Sequence, residues 1–154
     1  MRVLRPDIIY RGMKRNKLLI YIDGASRGNP GPAGAGVVIF DEDKNKVKDY
    51  SKYLGETTNN VAEYNALIYA LTEAHMLGSK HIVLHTDSEL VAKQLKGEFR
   101  VKDSKIKPIF EQALHLINGF EKIEIKLIER SLNKEADRLA NKAINLSGLK
   151  TDIV

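Results

Sequence analysis

Two apolar runs, LLIYI at 18–22 and HIVLHT at 81–86, each stop on an aspartate, Asp23 and Asp87, and a long helical pattern lies between them. This arrangement constrains the fold more than any other feature of the chain. A helix placed between two strands lets the second return parallel to the first. In such sheets the ligand site lies beyond the carboxyl ends of the strands, where the strand order reverses. Two aspartates ending neighbouring strands there would stand side by side. Each alone also reads as an Asp opening a turn or capping a helix.

The remaining pattern fills in around these strands. Leu18–Ile22 is followed by the stretch YIDGASRGNPGPAGAG and a second strand at Gly34–Phe40. DEDKNK at 41–46 reads as a hairpin turn into a third strand, Val47–Leu54. TTNN opens a helix from about Val61 to Leu77, closed by Gly78. After the 81–86 strand come a short helix at Ser88–Leu95, a helix at Ser104–Ile117, a strand at Lys122–Ile128 and a last helix at Asn133–Leu146. The order β-β-β-α-β-α-α-β-α predicts an α/β domain with a mixed sheet and helices against its faces. The glycine-rich stretch leads into a strand and matches neither the P-loop nor the dinucleotide fingerprint, both of which run into a helix. It reads as a wide hairpin, which leaves Asp23 unexplained.

At 154 residues the chain is sized for one domain. We divide it into a basic extension at 1–17, with a short apolar anchor at Ile8–Tyr10, a folded domain at 18–146 and a tail at 147–154. The net charge of +5 favours a polyanionic partner such as nucleic acid. The chain has no cysteine, which excludes disulfides and thiolate metal ligands. No apolar run suits a signal peptide or a membrane span. The expectation is a cytoplasmic monomer with no membrane association and no obligate protein partner.

Two further acids join the aspartates. Asn60 and Glu63 have the spacing of a capping box, with Asn60 as N-cap and Glu63 at N3. Glu63 also precedes Leu67 and Leu71 on the apolar stripe, which aims it at the sheet. Asp137 lies one turn before Ala140 and Ile144, on the core-facing side of the last helix, while Glu135 is free to face water and complement the helix dipole. Four converging carboxylates repel unless a cation joins them. Oxygen-only ligation suits Mg²⁺ or Mn²⁺, and two such ions about 4 Å apart support in-line phosphoryl displacement. A basic protein with an acidic centre suits that reaction on nucleic acid.

With these residues in place, YIDGASRGNPGPAGAG, TTNNVAEYNALIYAL, HTDSELVAKQL and NKEADRLANKA together resemble the type 1 ribonuclease H family, over roughly Leu18 to Leu146. The resemblance implies the ribonuclease H-like fold, a five-stranded mixed sheet of order 3-2-1-4-5 with helices on both faces. It implies endonucleolytic hydrolysis of the RNA strand of an RNA–DNA hybrid, with two Mg²⁺ ions (Mn²⁺ as a substitute) and 3′-hydroxyl and 5′-phosphate ends. The family's metal-binding acids fall on Asp23, Glu63, Asp87 and Asp137. Its RNA-contacting turn falls on Gly24, Ser26 and Asn29. Thr58 and Asn59 resemble its pocket for a DNA-strand phosphate, Asn59 also resembles a base-edge contact, and Asn60 either contacts substrate or caps the helix.

Three departures from the family pattern stand out. Glu89 follows the D-S pair where many members carry Gln at this substrate-contacting position, and a carboxylate cannot donate as an amide does. The basic protrusion of some bacterial members is replaced by the short GEFRVKD, with Lys96, Arg100 and Lys102 as partial substitutes. The histidine many members carry before the last helix is absent, and Arg130 takes its place as a candidate catalytic residue. His75, His81, His85 and His115 read as structural or surface residues.

Overall fold

The structure is a computed structural model and describes residues 16–153. The basic run at 1–17, with its apolar anchor, therefore lies outside the described residues except for Asn16 and Lys17. Five strands, β1 (Lys17–Ser26), β2 (Gly31–Phe40), β3 (Lys46–Thr57), β4 (His81–Thr86) and β5 (Lys122–Leu127), form one sheet of order β3-β2-β1-β4-β5. β1 pairs antiparallel with β2 and parallel with β4, and β5 is parallel to β4. The helices are α1 (Asn59–Met76), α2 (Glu89–Leu95), α3 (Ile106–Asn118) and α4 (Lys134–Ile153), with a 3₁₀ turn at Arg130–Leu132. No described helix is long and apolar enough to cross a membrane.

Strand alternation builds the main core. Leu18, Ile20 and Ile22 on one face of β1 are fully or almost fully buried, together with Val37, Ile39, Ile82 and Leu84 from its neighbours. α1 covers this face with Ala66, Leu67, Ala70, Leu71 and Ala74. Each buried Leu, Ile or Val removes roughly 1.5–3 kcal/mol worth of apolar surface from water. That drive holds α1 on the sheet although Glu63 must be buried with it. α4 packs on the opposite face, where Val38, Ala136 and Leu139 form a smaller cluster. Gly78, at φ +76°, ends α1 in the left-handed conformation that favours glycine.

Besides β3 running on from Leu54 to Thr57, the structure differs from the sequence expectations in four places. β1 does not stop at Asp23 but runs to Ser26, so Asp23 sits inside the strand opposite Gly36. β2 begins at Gly31 rather than Gly34, and the supposed wide connection shrinks to 27–30. The reason is packing. A Cβ at Gly24 would lie 2.2 Å from the Ala62 carbonyl carbon, and one at Gly36 would lie 2.1 Å from the Ala136 oxygen. These glycines are strand residues over which α1 and α4 lie close.

The third difference is the cap of α1. Thr58 is the N-cap, and its Oγ1 accepts from the Val61 N–H at 3.3 Å. Asn60 lies inside the first turn, and Glu63 is two residues beyond N3, so no capping box forms. Last, α4 continues past Leu146 to Ile153, so residues assigned to a tail continue the helix.

Candidate active site

The parallel register sets the aspartates. Tyr21 is level with His85, so Asp23 and Asp87, two residues further along each strand, share that face of the sheet. Beneath them the Tyr21 and His85 rings stack with centroids 4.1 Å apart, and His85 Nδ1 bonds the Ile20 carbonyl at 2.9 Å. Asp23 opposes Gly36, against which α4 packs, so Asp137 in the first turn of α4 comes to the same face. Glu63 arrives from α1 on the other face, and its carboxylate accepts the Gly24 N–H.

One carboxylate oxygen each from Asp23, Glu63 and Asp87 lies within 4.8 Å of the others. Asp137 is within hydrogen-bonding reach of Asp23, and Asn141 Nδ2 holds Asp137 Oδ1 at 3.3 Å. Asp23 and Glu63 are only 6% and 4% exposed. Burial, then the charges of Glu63 and Asp87, push the Asp23 carboxyl well above the usual range. Burial likewise raises Glu63, against the opposing pull of the Gly24 N–H. Buried acids that resist ionisation together are relieved by a cation. The all-oxygen donor set fits Mg²⁺ or Mn²⁺.

The acids open into a polar cleft of about 380 Å³ that also contains Arg130, Arg27, Asn59, Ser88 and Asn141. Gly24 and Ser26 line it as well. Ser26 Oγ donates to the Thr57 carbonyl at 2.8 Å, which ties the end of β1 to the end of β3. Asn29 Oδ1 accepts the Asn59 N–H at 3.2 Å and joins the β1–β2 turn to the start of α1.

Other predicted positions fall elsewhere. Thr58 spends its hydroxyl on the cap. Asn60 is exposed and does not line the cleft. Glu89 is exposed, pairs with Lys93 at 2.8 Å and also stays out of the cleft. Glu135 does not simply face water but pairs with Lys46. Lys96, Arg100 and Lys102 are exposed. Their loop is anchored from within, since Tyr64 Oη donates to Gln94 Oε1 at 2.6 Å and Gln94 Nε2 donates to the Arg100 carbonyl at 3.2 Å. His75 stacks on Phe120 and bonds the Leu116 carbonyl. No histidine lines the cleft.

Arg27, Ser88 and Asn141 were not singled out from the sequence. Asn141 lies one helical turn after Asp137, which is the spacing that could have marked it. Arg27 has no local signal. It reaches Asn141 Oδ1 at 3.3 Å only because the β1–β2 turn lies beside α4.

The sheet order, the helices on both faces and the acids gathered at the two central strands place the molecule in the ribonuclease H-like class. Residues 21–143 match the family model described as reverse transcriptase-like. The chain is 41% identical to ribonuclease HI of Halobacterium salinarum over 143 residues, covering 93% of this chain and 69% of that one. It is 42% identical over 130 residues to a bifunctional protein of Mycobacterium tuberculosis, covering 84% of this chain but only 36% of that relative. This chain thus spans about a third of the mycobacterial protein. Among solved structures, LC11-RNase H1 in complex with an RNA/DNA hybrid superposes with a TM-score of 0.81 at 42% identity, covering 84% of this chain and 98% of that one. The chain belongs to the type 1 ribonuclease H family.

Proposed function

We propose that this protein is a divalent-cation-dependent endonuclease that hydrolyses the RNA strand of RNA–DNA hybrids and leaves 3′-hydroxyl and 5′-phosphate ends. The observation that carries the reading is the meeting of Asp23, Glu63 and Asp87 within 4.8 Å, with Asp137 alongside, in a cleft that also holds two arginines. The hybrid-bound LC11-RNase H1 supports the substrate class.

Asp23, Glu63, Asp87 and Asp137 would hold two divalent cations, Mg²⁺ or Mn²⁺. Such ions supply an activated water and charge stabilisation at the leaving oxygen. The rest of the work falls to the chain. Arg130 and Arg27 hold phosphate oxygens beside the acids by charge-assisted hydrogen bonds. The main chain at Gly24–Ser26 and the Asn59 side chain position the strands. Water adds to the scissile phosphorus as the bond to the 3′-oxygen breaks, which gives the two ends named. All four acids come from one chain, and a monomer acting in the cytoplasm is part of the same proposal.

The test is cleavage of a labelled RNA–DNA hybrid beside duplex DNA and duplex RNA, in Mg²⁺, Mn²⁺ or EDTA. The expected result is cleavage of the RNA strand of the hybrid alone, lost in EDTA. Hybrid binding without cleavage in either metal would reduce the protein to a binding module.

A further inference from the structure

Asn133 immediately precedes α4 and is 1% exposed. Its carbonyl accepts the Asp137 N–H at 3.1 Å, the first bond of the helix. An asparagine in this N-cap position ordinarily turns its side-chain oxygen back onto an amide of the first turn. Asn133 does not. Its Oδ1 is buried and without a partner, while its Nδ2 donates outward to the Ile22 carbonyl at 2.8 Å and to Asp87 Oδ2 at 3.3 Å. Both partners are acceptors, so the amide nitrogen must be the atom facing them. The residue forgoes the cap and leaves a buried acceptor unsatisfied in order to make these two bonds.

Those bonds meet the acidic site from three sides. Ile22 directly precedes Asp23 on β1, Asp87 follows β4, and Asp137 hangs from the Asn133 carbonyl. We propose that Asn133 is a positioning residue, whose amide fixes Asp87 against β1 so that it meets Asp23 and Glu63 at one point. The inference rests on the reading of these acids as cation ligands. It goes beyond that reading because Asn133 is neither a ligand nor a residue of the acidic cleft. A carboxylate with one oxygen already pinned loses little freedom when it binds a cation.

The test is Mn²⁺ binding by calorimetry to the parent, Asn133→Ala, Asp87→Asn and the double variant, with thermal unfolding in EDTA as the check on folding. Asn133→Ala is expected to bind Mn²⁺ about 10-fold more weakly. Its kcat should fall at fixed Mg²⁺ and recover in part as Mg²⁺ is raised, with hybrid affinity in EDTA unchanged. In the Asp87→Asn background the same substitution should leave Mn²⁺ affinity nearly untouched. A folded Asn133→Ala with parental Mn²⁺ affinity overturns the proposal, as does an undiminished loss in the Asp87→Asn background. If Asn133→Ala does not fold, Asn133→Ser is read the same way. Failure of both to fold makes the residue purely structural and also overturns it. A parent that binds no Mn²⁺ refutes the ligand reading itself, which is a different result.

Discussion

Gly24 and Ala62 touch backbone to backbone: a Cβ at position 24 would lie 2.2 Å from the Ala62 carbonyl carbon and 2.2 Å from the Glu63 amide nitrogen. The contact brings the first turns of α1 down onto β1 next to Asp23. It also lets the Gly24 N–H reach the Glu63 carboxylate. A residue within a close helix–strand crossing is thereby a neighbour of the chemistry.

Gly24→Ala should therefore act on stability and activity together. The obstructing atoms are backbone, so α1 must move as a body. Overpacking of this kind costs about 1–3 kcal/mol, readable in urea unfolding. Glu63 moves with the helix, so Mn²⁺ affinity and hybrid cleavage should both drop. Parental stability in this variant would refute the close crossing.

Asp23→Asn should stabilise the metal-free protein in a pH-dependent way. The folded-state pKa of Asp23 is raised, by burial and then by the charges of Glu63 and Asp87. Its unfolded value is about 3.9. Between those two values the folded state binds more protons than the unfolded one, so stability falls as pH rises. Below about pH 4 the group imposes no such cost. In EDTA the variant should melt a few degrees above the parent at pH 8, and the gap should close towards pH 4. Saturating Mg²⁺ should reverse the order at pH 8, because the parent alone keeps the full ligand set. An equal gap at both pH values would mean that Asp23 is not the titrating group.

Arg130→Ala should lower kcat by about ten-fold, or ~1.4 kcal/mol, with a smaller change in KM. Arg130 enters the cleft from the 3₁₀ turn before α4. A guanidinium is suited to holding a phosphate by paired hydrogen bonds and not to carrying a proton. Arg130→Lys should recover part of the loss, since an ammonium lacks the planar fork. A parental rate for Arg130→Ala at saturating hybrid would make it an ordinary loop arginine.

The sequence displayed the four acids because each sits at a recognisable boundary or on a recognisable helical face, and the parallel β1–β4 pair followed from the helix between them. It did not display what crosses the chain. Gly24 reads as a turn residue because turns are where isolated glycines most often lie; only the helix packed on it shows it to be strand. Thr58 lost the cap to Asn60 on paper because the Asn60–Glu63 spacing imitates a capping box, whereas Glu63 is committed to Gly24. The end of α4 was hidden by Gly148 and the polar residues after it, which carry little apolar periodicity. Asn133 was visible only as a helix start, and its use on Ile22 and Asp87 depends on strands far away in sequence.

Deleting residues 1–15 should weaken hybrid binding more than it slows the chemical step. This segment carries Arg2, Arg5, Arg11, Lys14 and Arg15 against Asp7 alone. Basic residues on phosphates release counterions, so affinity should depend less steeply on salt once they are gone. The expected result is a shallower slope of log K against log salt with kcat preserved. An unchanged slope with a lower Tm would assign the segment to the fold instead.

The four acids are drawn from the sheet and from helices on its two opposite faces, so no partly assembled piece of the molecule offers the complete set. A cation held by all of them is a clasp through three layers, and its binding free energy belongs to the folding equilibrium of the whole domain. That stabilisation grows with the logarithm of free cation once the concentration exceeds Kd. If the proposed cation is magnesium, its supply would govern two things at once, the rate at which each molecule turns over and the number of molecules that stay folded. A cell short of the ion would hold fewer copies, because chains that open are lost to proteases.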